Sequence, residues 1–156
     1  MTSTWASVAV AACLAAPLSA QSTVVREAGL ATVVTFAEPA VYTAGLTASL
    51  RPSLRTRVGL YAGGGVSDGE GVGRAELVAH FLLTPRSAHA GVYGGGGLAG
   101  VFGSGFADGY IVLLVGVEGA PGGRGGWFVE AGIGGGARLA AGYRWRKLPP
   151  GWRAKG

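Results

Sequence analysis

From about residue 25 onward, apolar residues alternate with small or polar ones at a period of two. Successive side chains of a β-strand point to opposite faces, so this period predicts strands rather than helices. Within residues 40–51, Tyr42, Ala44, Leu46, Ala48 and Leu50 share one face, and Thr43, Gly45, Thr47, Ser49 and Arg51 share the other. Further on, Val58, Leu60 and Ala62 oppose Arg57, Gly59 and Tyr61, and Ala75, Leu77, Ala79 and Phe81 oppose Glu76, Val78, His80 and Leu82. Ile111, Leu113, Val115 and Val117 oppose Val112, Leu114, Gly116 and Glu118. Trp127, Val129 and Ala131 oppose Phe128, Glu130 and Gly132. Leu139, Ala141, Tyr143 and Trp145 oppose Arg138, Ala140, Gly142, Arg144 and Arg146.

Turn-forming residues punctuate the pattern and predict eight strands, near 25–36, 40–51, 55–64, 73–84, 90–102, 109–119, 126–134 and 138–146. Strands of this length joined by short connections suit an all-β, antiparallel up-and-down barrel. Between Gly91 and Gly100 the side chains are too few to specify a pairing register.

Alternation alone does not say which face points outward. Composition does: charged residues are 13% of the chain, hydrophobic residues 49%, and mean hydropathy is +0.39. An ordinary soluble domain carries about 25% charged residues. The expectation is therefore a transmembrane barrel with its apolar face toward lipid and its glycine-rich face lining a narrow lumen. Glu27, Glu76, Glu118 and Glu130 would share that lumen with several arginines. Buried charges must pair. A lumen ion-pair network is expected, chiefly Glu76, Glu118 and Glu130 with Arg57, Arg138 and Arg144; His80, on the same face as Glu76, is expected to make a plain hydrogen bond in the lumen. The alternative is a soluble periplasmic or secreted barrel, its apolar face inward around a small apolar ligand.

The connections carry charge of alternating sign. Those after strands one, three and five hold Glu38, then Asp68 and Glu70, then Asp108. Those after strands two, four and six hold Arg51 and Arg55, then Arg86 and His89, then Arg124. A meander puts each set on its own rim, one acidic and one basic. Aromatics gather near strand ends: Phe36, Tyr42, Phe102 and Tyr110 at the acidic rim, Trp127, Tyr143 and Trp145 at the basic one. Membrane barrels carry such girdles at both interfaces.

The chain opens differently. Trp5 to Leu18 is an apolar run of signal-peptide length, and Ser19-Ala20 offers a cleavage site before Gln21. The domain reading is a signal peptide over 1–20, a barrel over 21–147 and a basic tail over 148–156. A second reading takes Val10 to Cys13 as a lipoprotein processing box, which would leave Cys13 lipidated.

Other chemistry finds little support. With one cysteine and two histidines there is no zinc-ligand spacing. The arginines are scattered rather than clustered, which argues against nucleic-acid binding. Gly132 to Ala137 fits a dinucleotide fingerprint, but the acidic residue required about twenty positions on is missing. No metal site and no cofactor is expected. A lipid-modifying enzyme built on His80, Glu76 and Ser49 is an alternative that needs those groups within hydrogen-bond reach.

In pattern and length the chain resembles the small eight-stranded outer-membrane proteins of OmpA/OmpX type. The best single piece is Ala137 to Trp145, alternating hydrophobics that end in an aromatic. The resemblance implies an outer-membrane location in a Gram-negative envelope, with lipid and the insertion machinery as partners. It also implies Tyr143 and Trp145 as the assembly signal, beside Trp127 of the girdle. In the family an aromatic usually closes the chain, whereas here Arg146 to Gly156 follow. The family often has long external loops; these are short, so an adhesin-like role is not supported. A structural or interaction role with a side-chain-filled lumen, not an enzyme, is the reading carried forward.

Overall fold

The computed structural model describes residues 24–154. The signal peptide expected over 1–20, with Cys13, lies outside them. Eight strands follow one another: β1 (Val25–Phe36), β2 (Val41–Arg51), β3 (Thr56–Ser67), β4 (Glu70–Leu82), β5 (Ala90–Gly103), β6 (Phe106–Gly119), β7 (Gly125–Ile133) and β8 (Ala137–Lys147). Each pairs antiparallel with the next, and β8 closes on β1 from Arg26↔Lys147 to Phe36↔Ala137. Closure gives every strand a paired neighbour on both sides.

Two hairpins are tighter than the sequence reading placed them. The turn residues predict a loop over about 65–72, yet β3 and β4 pair to the very end, at Ser67↔Glu70. Asp68 and Gly69 make the turn with φ of 51° and 80°. A two-residue type I′ turn requires positive φ at both positions, and Asp-Gly supplies it. The β5–β6 turn is likewise short, with Gly105 at φ 83°. The β5–β6 hairpin also outruns its neighbour, because β6–β7 pairing stops at Leu113↔Ile133.

The register left open by the glycines of β5 is fixed from their flanks. Leu98 lies between Leu77 and Ile111, and Val92 lies opposite Val117. These outward apolar pairs lock β5 between β4 and β6, and Gly94 to Gly97 follow.

The apolar face points outward. Leu46, Leu98, Ile111 and Val115 are each more than 60% exposed, while Arg57 and Glu118 are at most 1% exposed. A soluble barrel inverts this arrangement, so the inward apolar face of the alternative reading is overturned. Small residues on the inner face make room for the long side chains. Gly116 shows the need: a Cβ there would fall 2.5 Å from the Tyr93 ring, which lies across it.

Val115 sits mid-strand on the outer face. Val115→Arg, refolded into lipid vesicles and titrated with denaturant, should lose about 2–4 kcal/mol of unfolding free energy.

Candidate functional site: a charged plug in the lumen

Every strand sends at least one polar group to the barrel axis. β1 gives Glu27, β2 Arg51, β3 Arg57, β4 Arg74, Glu76 and His80, and β5 Tyr93. β6 gives Glu118, β7 Glu130, and β8 Arg138, Arg144 and Arg146. All are buried. The period of two explains the selection, since each occupies the inward parity of its strand.

The network has two layers. Toward the end that carries the chain termini, Glu27 and Glu118 are surrounded by arginines. Glu27 accepts from Arg51 at 2.6 Å, Arg57 at 3.3 Å and Arg146 at 3.2 Å. Glu118 accepts from Arg146 at 2.7 Å, Arg57 at 2.9 Å and Arg144 at 3.2 Å. Toward the other end, Glu76 accepts from Arg74 at 2.6 Å and Arg138 at 2.8 Å. Glu130 joins the layers, bound by Arg138 and Arg144, each at 3.0 Å. The Tyr93 hydroxyl donates to Glu130 at 2.8 Å. The Arg57 guanidinium lies 4.7 Å from the centre of the Tyr93 ring, and Arg144 lies 3.7 Å from that of Phe128. Multiple charge-assisted hydrogen bonds on each carboxylate offset the cost of taking it out of water.

The end with the termini is closed from below. Arg51 donates to the Pro121 carbonyl at 3.1 Å and Arg146 to that of Ala120 at 3.1 Å, pinning the β6–β7 turn across the opening. The tail joins this cover: Trp152 Nε1 donates to the Gly122 carbonyl at 3.0 Å, and its ring lies under Arg86. At the opposite end a cup of about 460 Å³ opens outward. Glu38, Asp68, Glu70 and Asp108 line it, and Arg74 forms its floor. Among the described residues, no group of His, Cys, Asp or Glu is arranged to hold a metal ion.

The seven residues expected in the network, Arg57, Glu76, His80, Glu118, Glu130, Arg138 and Arg144, come together. His80 shares the lumen face with Glu76, and its Nε2 faces Glu130 at 3.6 Å. A cavity of about 40 Å³ lies beside Arg57 and His80. His80 Nδ1 and the Nε and Nη2 of Arg57 have no partner within the protein. A cavity of that size beside such atoms has room for water. Ser49 donates to Glu27 at 2.8 Å rather than to His80.

Arg51 needs correcting as a rim charge. It is the last residue of β2, and its side chain turns into the lumen, 1% exposed. Tyr110 is corrected too: it lines the cup rather than the outer girdle. Trp127, Tyr143 and Trp145 are exposed on the outer face.

No family model and no curated protein matches the chain. Solved structures do. One is the N-terminal β-barrel domain of Pseudomonas aeruginosa OprF, with a TM-score of 0.62 at 12% identity, covering 80% of this chain and 98% of that one. The fold is that of the small eight-stranded outer-membrane barrels. A second such barrel, the Neisserial surface protein A, superposes with a TM-score of 0.51 at 16% identity, covering 80% of this chain and 97% of that one.

Besides Arg51, the plug residues outside the expected network are Arg74, Tyr93 and Arg146. Arg74 falls in the expected fourth strand, two residues before Glu76 and on the same face, and Tyr93 in the looser fifth strand. The parity of Arg74 with Glu76 and His80 is the signal that places it in the lumen.

Glu118 tests the network most sharply, because its loss leaves several buried guanidinium groups facing one another. Glu118→Ala should lower unfolding free energy by about 3–5 kcal/mol in vesicles. Glu70→Ala, at the exposed acidic rim, should change it by no more than about 0.5 kcal/mol.

Proposed function

We propose that the chain is an exported outer-membrane protein of a Gram-negative envelope. Its barrel is closed by its own side chains, and its role there is structural or one of interaction. The observation that carries this reading is the plug. It ties seven strands together with carboxylate–guanidinium pairs, and β5 through the Tyr93 hydroxyl on Glu130, inside a shell whose outer face is apolar. A protein built for catalysis needs free, convergent reactive groups. Here the lumen carboxylates are taken up by arginines, and Ser49 is held by Glu27. That supports a non-enzymatic role.

The partners follow from position. Membrane lipid would surround the apolar outer face. The outer-membrane insertion machinery would read the final strand through Tyr143 and Trp145, with Trp127 beside them at the same interface. The acidic cup is the surface the barrel offers to the medium on the side away from its termini.

Expressed as the full chain in a Gram-negative host, the protein should stay with the outer membrane through an alkaline carbonate wash. In planar bilayers the refolded protein should give no steady conductance. Release in soluble, folded form would contradict the membrane placement. Sustained channel openings would contradict the closed lumen.

A further inference from the structure

The outer face near the termini carries charge that the protein does not neutralise. Arg26 on β1 stands directly opposite Lys147 on β8, and both are exposed. Their neighbours Glu27 and Arg146 point the other way, into the lumen, and pair with each other. Among the described residues, neither Arg26 nor Lys147 has an ion-pair partner. Like charges directly opposite on an antiparallel pair repel, so this position favours a counter-anion from outside.

What lies deeper along the same strands is apolar and graded. The next outward residue of β8 is Trp145, opposite Ala28, and then Tyr143, opposite Leu30. Their rings lie 5.3 Å apart, and both are about half exposed. Aromatics of this kind sit at headgroup depth in a bilayer. One row further, small side chains at Thr32, Ala44 and Ala141 leave a groove of about 580 Å³ walled by Leu30 and Leu46. A cation pair, an aromatic pair and an apolar groove thus lie in line over β8, β1 and β2.

We propose that this sector binds one anionic phospholipid from the leaflet on the side of the termini. Arg26 and Lys147 hold its headgroup phosphate, Trp145 and Tyr143 pack against the glycerol region, and one acyl chain lies in the groove. The proposal rests on the membrane placement argued above and adds the class of lipid. Charge complementarity selects the occupant: a lipid of net negative charge neutralises the pair, and a zwitterionic one does so only in part.

The test uses the full chain with Trp145 as its sole tryptophan, Trp5, Trp127 and Trp152 being replaced by Phe. It is reconstituted into phosphatidylcholine vesicles containing either brominated phosphatidylglycerol or brominated phosphatidylcholine at equal mole fraction. Quenching of Trp145 should show a preference of about fivefold for phosphatidylglycerol. The pair Arg26→Gln and Lys147→Gln, both at exposed outer positions, should bring that preference close to one. Arg55→Gln, in the β2–β3 turn, should leave it unchanged. Equal quenching by the two lipids overturns the site, as does a preference that survives loss of the pair or falls equally with Arg55→Gln. Absence of quenching by either lipid overturns the membrane placement as well.

Discussion

A carboxylate inside a narrow barrel keeps its charge only if guanidinium groups surround it. Removing an ion from water costs several kcal/mol, and only close pairing with further hydrogen bonds offsets that. The lumen meets this condition with six buried arginines around four buried glutamates. The surplus of positive charge lies toward the end with the termini, where backbone carbonyls of Pro85, Ala120 and Pro121 accept what the carboxylates do not. The arginines that neutralise the glutamates therefore also hold the turns that cover the barrel's end. Closing the lumen and closing its end are one set of contacts.

The outer surface is the counterpart of this interior. With charged residues at 13% of the chain, few remain for the outside once the lumen is filled. The chain places its few ionic groups on the axis and at the two rims, and leaves leucine, valine and isoleucine outside. Glycine and alanine on the inner face keep the lumen wide enough for arginine. Where an inward ring is large, as at Tyr93, the facing position is Gly116. Volume is thus balanced strand against strand, in the way that narrow barrels alternate large and small inner residues.

Much of this was legible in the sequence, because a strand's parity is rigid. Once Val58, Leu60 and Ala62 point outward, Arg57 and Tyr61 must point inward, and a shift by one residue would reverse every position. That rule put Arg57, Glu118, Glu130, Arg138 and Arg144 in one lumen without any knowledge of their partners. Parity does not give height along the axis, however. His80 shares its face with Glu76, yet it meets Glu130 across the barrel instead. Arg51 has the parity of a lumen residue but stands beside a proline and a turn, so its charge looked like a rim feature. The glycine run of β5 carries almost no side-chain information, and its register depends on Leu98 and Val92 meeting partners on neighbouring strands.

The central claim is that the lumen pairs act together as a cohesive plug rather than as independent side chains packed into one space. A double-mutant cycle on Arg138 and Glu76, read by denaturant unfolding in vesicles, tests it most directly. Arg138→Met, Glu76→Gln and the double substitution would be compared with the unaltered chain. A coupling of about 1–3 kcal/mol is the result this account predicts. Additivity within about 0.5 kcal/mol would contradict it, because the two groups, 2.8 Å apart, would then contribute nothing as a pair.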